Sequence, residues 1–287
     1  MLELKISRPL DILSVQSLNA FFLYAWLCCR QCETVQTCAS ISLSGGQGKT
    51  TVVLFTALML AQKGFRVLVV DSDPQANLTF YLNHTVQANH PTLLEVLTGV
   101  VAPEDGIYPT DYENLFLIPA DRGLFKVSEY LSSSGTGAFI LKLRLKAIAN
   151  IFDYVVVDVQ PSRSQICLSG VGAADYVLIP VEANTKGFNS LIDTLTFLQE
   201  QASVQAFTGK ILGVIPFRDR WIGRTQTLES RENIEAMIEF AGDIPVMPSI
   251  RESEQFKRAL RQGKLLSDLG HPDLQYPFEK IIEKLTP

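Results

Sequence analysis

The segment that most constrains this chain is Ser44-Gly45-Gly46-Gln47-Gly48-Lys49-Thr50-Thr51. It follows an apolar run, Thr37 to Leu43, that reads as a strand. It also opens a helical pattern running from Lys49 to Lys63. Strand, glycine-rich turn and helix in that order make a phosphate cradle. Glycines let backbone N–H groups approach phosphate oxygens with no Cβ in the way. The helix start adds unsatisfied donors and the positive end of a dipole. In such a cradle Gly45, Gly46, Gln47, Gly48, Lys49, Thr50 and Thr51 surround the phosphates of a nucleotide. Lys49 reaches the β- and γ-phosphates and the Thr50 hydroxyl ligates Mg²⁺.

The rest of the chain alternates short apolar runs with longer helical patterns, the signature of an open, mostly parallel sheet covered on both faces. Strands are expected at Thr37 to Leu43, Phe65 to Val70, Leu115 to Ile118, Tyr154 to Asp158, Tyr176 to Val181, Ile211 to Ile215 and Ile244 to Met247. Helices are expected at Lys49 to Lys63, Leu93 to Leu97, Leu124 to Leu131, Phe139 to Ala149, Asn189 to Gln201, Thr225 to Phe240, Glu252 to Gln262 and Pro277 to Leu285. The fold class is α/β: one twisted, mostly parallel sheet flanked by helices, spanning residues 35–287. With 287 residues, 47% hydrophobic and 19% charged, the chain can bury a sizeable core.

Two further segments carry carboxylates at strand ends, where open α/β sheets bind ligands. Phe65-Arg66-Val67-Leu68-Val69-Val70 runs into Asp71-Ser72-Asp73-Pro74-Gln75, and Tyr154-Val155-Val156-Val157 runs into Asp158. In this order the three segments resemble the ParA/MinD group of deviant Walker-box ATPases, whose loop reads x-K-G-G-x-G-K-[ST]-[ST] and whose second motif reads D-x-D-P-Q. Leu117-Ile118-Pro119-Ala120, Ala173-Ala174-Asp175-Tyr176-Val177-Leu178-Ile179-Pro180 and Ile250-Arg251 before Ser253 extend the resemblance over most of Thr37 to Lys264. It implies that Asp73 positions the attacking water, that Asp158 holds the Mg²⁺ shell, and that the Met247-Pro248 loop touches the adenine. Val159-Gln160-Pro161-Ser162 stands where the group often has x-P-P-S.

The main departure is Ser44, which replaces the group's signature lysine. In the group that lysine crosses a dimer interface to the partner's ATP. Two nucleotides in a poorly hydrated seam need compensating cations. Lys186 is the expected substitute: it lies in Glu182-Ala183-Asn184-Thr185-Lys186-Gly187, read as a loop past the strand Tyr176 to Val181, with Gly187 giving the loop freedom to turn. Arg163 is the next candidate. Loss of the signature lysine to serine resembles the McdA group, which spaces carboxysomes over the nucleoid.

The resemblance implies an ATP-hydrolysing enzyme that forms a homodimer with ATP sandwiched between subunits. It implies non-specific binding to nucleoid DNA in the cytoplasm and release when an adaptor on the cargo stimulates hydrolysis. The alternative within the family is a plasmid or chromosome partition ATPase. A metal-insertase or reductase of the same superfamily would need cysteine or histidine ligands near the seam, and Cys167 is the lone cysteine of the catalytic half. A non-hydrolysing scaffold is the third class. Membrane attachment is not expected, because the tail Phe278 to Leu285 is short and not net basic. The formal charge of -5 does not announce a nucleic-acid binder. Residues 210–264, however, carry ten Lys/Arg against eight Asp/Glu, and Arg218, Arg220, Arg224, Arg251, Lys257, Arg258, Arg261 and Lys264 are the candidate DNA contacts.

Residues 1–34 form an N-terminal extension. Its apolar run Ala20 to Cys29 is too short to span a bilayer, where about 20 residues are needed. The extension reads as an added helix or as untranslated sequence before a start near Val35. Five cysteines (Cys28, Cys29, Cys32, Cys38 and Cys167) do not make a disulfide framework, and Cys28-Cys29 with Cys32 lacks the second ligand pair of a zinc site.

Overall fold

The computed structural model describes residues 35–286 apart from Ser134 and Gly263. Both readings of the N-terminal extension, and its cysteine cluster, lie outside the described residues.

Strand β1, Gln36–Ser40, enters the core at once, and helix α1, Lys49–Gln62, returns across it. The chain continues through β2 (Val67–Ser72), α2 (Asn77–Tyr81), α3 (Leu93–Thr98), β3 (Tyr108–Pro109), β4 (Leu115–Ile118), α4 (Val127–Ser133) and α5 (Ile140–Ala147). Then come β5 (Tyr154–Val159), α6 (Gln165–Ala173), β6 (Tyr176–Glu182), α7 (Thr185–Ser203) and β7 (Lys210–Asp219). A small hairpin, β8 (Trp221–Ile222) and β9 (Thr225–Gln226), leads to α8 (Leu228–Ala241), β10 (Ile250–Arg251), α9 (Gln255–Gln262) and α10 (Pro272–Leu285).

The eight-stranded sheet has the order β10-β7-β6-β1-β5-β2-β4-β3, and every pair is parallel except β3 with β4. Strands β2 and β5 are buried along their whole lengths, as their unbroken Val/Leu runs require. Their alternate side chains feed two cores. Val155, Val157 and Val159 join α3 to α8 on one face; Tyr154 and Val156 join α1, α9 and α10 on the other. On that second face Phe55, Phe256 and Phe278 meet with ring centroids 5.3 to 6.1 Å apart. Each such aromatic pair adds about 0.5–1.5 kcal/mol beyond its buried area. The apolar face of the C-terminal helix, Phe278, Ile281, Ile282 and Leu285, is thereby buried.

Several boundaries differ from the sequence reading. The strand expected at Ile244 to Met247 is a single bridge, Val214 to Val246. Pro245 and Pro248 lack the N–H a ladder needs, so pairing resumes only at β10. The first strand ends at Ser40; beyond it Ile41 N–H still donates to Leu178 O, and Leu43 N–H turns to Thr194 Oγ1. Thr225 and Gln226 belong to the hairpin rather than to a helix. Helix α6 has no counterpart among the expected helices, since Gly170 and Gly172 lower its propensity. It is nonetheless capped, with Ser164 Oγ accepting from Cys167 N–H.

Candidate functional site

Strand β1 lies between β5 and β6, so the connections leave its two sides in opposite directions. The crevice beyond the strand tips at such a switch point is where an α/β sheet binds its ligand. The glycine-rich loop fills it. Gly48 has φ +93° and serves as the N-cap of α1. A Cβ there would lie 2.6 Å from the Phe217 ring of β7, so only glycine fits both the conformation and the space. Gly45 and Gly46, by contrast, are exposed, with nothing within 4 Å of where a Cβ would stand.

Gln47 turns inward. Its buried Oε1 accepts the Glu182 N–H at 2.7 Å, tying the loop to the tip of β6. Glu182 in turn pairs with Arg218 of β7. Lys49 is buried, and its ammonium donates to the carbonyls of Ser42 and Ser44 at 3.1 Å each. Burial holds its pKa below the ordinary lysine range, against the opposing pull of Asp158 and Asp73. Thr50 and Thr51 occupy the first turn of α1, and Thr50 Oγ1 donates to Asp158 Oδ2 at 2.7 Å.

Three carboxylates gather across β2 and β5, where Asp71 stands in register with Asp158. Burial, with Asp71 adding repulsion, pushes Asp158 up to about 8. Burial pushes Asp71 up to about 6, opposed by its hydrogen bonds to Thr79. The sequence reading named Asp73 and left Asp71 without a role. Asp71 organises the loop: it accepts from Thr79 N–H at 2.9 Å, Thr79 Oγ1 at 2.7 Å and Asp73 N–H at 3.2 Å. Asp73 is half-buried at the strand tip, and its Oδ1 accepts the Gln75 N–H. The doublet Asp71-x-Asp73 was the available signal, since only the outer member reaches past the strand.

This donor set fits Mg²⁺. The ion takes few protein ligands and completes its shell with phosphate and water. Among the described residues no cage of three or more His, Cys, Asp or Glu exists. A hydroxyl bonded to a carboxylate at the start of α1 places two oxygen donors side by side, the kind of ligand that Mg²⁺ takes.

Lys186 differs from its expected setting. It stands in the first turn of α7, with Asn184 as N-cap, and not in a loop. Gly187 is helical, and its role is close approach rather than freedom to turn, because a Cβ there would run into the Glu182 carbonyl. The expected proximity does hold: Lys186 Nζ, exposed, donates to Gly45 O at 3.1 Å. Arg163 pairs with Glu200 of α7. Met247 packs its side chain into the core beside Gly213, and Pro248 lies next in the chain at the sheet edge. Cys167 is buried, its thiol pushed up to about 12 by that burial.

The chain matches the family model described as AAA domain over residues 35–207. It is 52% identical over 251 residues to the maintenance of carboxysome distribution protein A of Gloeothece citriformis, covering 88% of this chain and 97% of that protein. Its fold superposes on the ATP complex of an aspartate-to-alanine variant of Cyanothece McdA with a TM-score of 0.86 and 51% identity, over 88% and 97% of the two chains. A probable plasmid-partitioning protein ParA of Thermus thermophilus is 29% identical over 84% of this chain and 75% of its own length. Site and likeness agree, and the chain belongs to the McdA branch of the ParA-type P-loop ATPases.

Proposed function

We propose that this protein hydrolyses Mg·ATP to position carboxysomes. It dimerises around two ATP molecules, binds nucleoid DNA without sequence preference, and is released when an adaptor on the cargo stimulates hydrolysis. The observation that carries this reading is Lys186 Nζ on the Gly45 carbonyl, which supplies an exposed cation at the rim of a loop that has Ser44 in place of the group's signature lysine. The likeness to McdA over nearly that protein's full length supports the cargo.

In this reading Gly45 to Thr51 hold the phosphates and Lys49 offsets their charge. Bound Mg²⁺, held by Thr50 and through its shell by Asp158, would draw charge from the γ-phosphate. Asp73, oriented by Asp71, holds the attacking water. Lys186 serves the partner's phosphates across the seam. Met247 and Pro248 take the adenine, with Pro248 presenting the contact because the Met247 side chain is buried.

For DNA, the exposed face of α9 offers Lys257, Arg258 and Arg261, with Lys264 beyond it and Arg224 on the hairpin. A nucleoid is favoured over a membrane because the apolar face of α10 packs on α1. No helix among the described residues is long and apolar enough to cross a bilayer. The test is a pull-down with the Asp73→Ala protein and ATP from carboxysome-bearing cells. Recovery of a carboxysome-bound adaptor supports the reading; recovery of a centromere-binding protein instead would assign it to DNA partition.

A further inference from the structure

Gln160 occupies the position where related chains often carry the first proline of x-P-P-S, and no role has yet been found for it. It is the first residue past β5, and Asp73 is the first past β2. Those strands are parallel and in register, Asp71 with Asp158 and Ser72 with Val159. Gln160 and Asp73 are therefore the next residues at two neighbouring strand tips, each where the chain turns away from the sheet.

The carboxamide is held at one end only. Its Nε2 donates to Ser162 Oγ at 2.6 Å and to Ser164 Oγ. Ser164 is itself fixed as the N-cap of α6. Among the described residues none donates to Gln160 Oε1, and the side chain is only half-buried. A planar acceptor whose amide end is held by two serines thus lies at the strand tip adjoining that of Asp73, the carboxylate to which the proposed function gives the attacking water. A proline at this position would offer no such group.

We propose that Gln160 is a second catalytic residue for ATP hydrolysis, accepting a hydrogen bond from the attacking water that Asp73 also holds. Two acceptors fix both protons of that water and so aim its lone pair at the γ-phosphorus, as water-positioning glutamines do in other phosphate-hydrolysing proteins. The water oxygen bonds to the γ-phosphorus as the bond to the bridging oxygen of ADP breaks. The water's displaced proton ends on the released phosphate.

This inference rests on the proposed ATPase reading, and the experiment separates the two. Gln160→Met keeps the length of the side chain and removes the acceptor; Gln160→Ala removes both. Single-turnover hydrolysis, affinity for a fluorescent ATP analogue and Tm are measured for the parent, both variants, Asp73→Ala and the Asp73→Ala/Gln160→Met double variant. We expect Gln160→Met to lose hydrolysis by about 100-fold, the scale of a misplaced reacting group, with affinity within about threefold and Tm retained. The double variant should be no slower than Asp73→Ala alone, since both residues act on one water. A Gln160→Met protein hydrolysing within threefold of a working parent overturns the inference. So does a loss that follows Tm or nucleotide affinity, or a double variant slowed by the product of the two single effects. A parent that does not hydrolyse Mg·ATP overturns the ATPase reading, and this inference with it.

Discussion

At the phosphate end, Lys49, Asp71 and Asp158 are buried, and each is bonded to a neighbour that fixes its direction. Between Arg218 and Lys264, eight candidate DNA-binding cations all stand at the surface. Half of those are already spoken for. Arg218 pairs with Glu182, Arg220 with Glu252, Arg251 with Asp273 and Lys257 with Glu254. Arg251 also lies over the Trp221 ring, 4.3 Å from its centroid. Among the described residues Arg224, Arg258, Arg261 and Lys264 make no ion pair. A buried charge must be satisfied by named partners, so its motif is also its geometry. An exposed charge is constrained weakly, and exposed pairs are worth about 0–1 kcal/mol. A count of cations therefore overstates the free basic surface, and Arg218 belongs with the phosphate loop through Glu182 and Gln47.

The contrast is testable from its strong end to its weak one. Lys49→Ala should lower ATP affinity by at least about 100-fold, because it removes the buried cation facing the phosphates. Isothermal titration with ATP reads this directly, and an unchanged affinity would place the loop elsewhere. Asp73→Ala should keep ATP affinity while hydrolysis falls by about 100-fold, leaving a persistent ATP dimer. Light scattering that finds a monomer in saturating ATP would contradict that. Lys186→Ala should bind ATP as a monomer but lose dimerisation and turnover by roughly 10-fold, the loss of one charge-assisted contact. If sedimentation shows the usual ATP dimer, the seam is neutralised by another residue such as Arg163.

The smallest effect belongs to the surface. Replacing Arg258, Arg261 and Lys264 together with alanine should weaken ATP-dependent DNA binding and reduce the salt slope by about 2 to 3, with no change in ATP affinity. Replacing the paired Arg220 and Lys257 should do less. Equal losses from the two sets, measured by DNA-coated biosensor at several salt concentrations, would erase the distinction drawn here between free and paired cations.

The same contrast explains what could be read before the structure. The strand–loop–helix at Ser44 to Thr51 and the acids after Val70 and Val157 were legible because burial leaves few residue types able to stand there. The Thr50–Asp158 bond joins residues 108 apart, yet each was identifiable from its own strand end. Asp71 was visible without a role, since its partner Thr79 lies in α2, a helix of five residues too short to show a period. Lys186 lies beside the phosphate loop, as its position past β6 implies, but in the first turn of a helix and not in a loop. The cap at Asn184 starts α7 before its apolar pattern begins, so the segment looked like a loop. The pairing of Arg218, Arg220, Arg251 and Lys257 was illegible, because their partners follow no fixed spacing.

The phosphate loop is built like a cantilever. Its rear, Gln47 and Gly48, is clamped to the tips of β6 and β7 by a buried hydrogen bond and an aromatic ring. Its front, Gly45 and Gly46, is exposed, and Lys186 holds the Gly45 carbonyl from a helix 141 residues away in sequence. Any event that draws the Lys186 ammonium toward another anion also lets go of the beam's tip. If Lys186 serves a partner's phosphate as proposed, neutralising that phosphate and loosening the protein's own grip at the front of its nucleotide loop become one movement of one side chain.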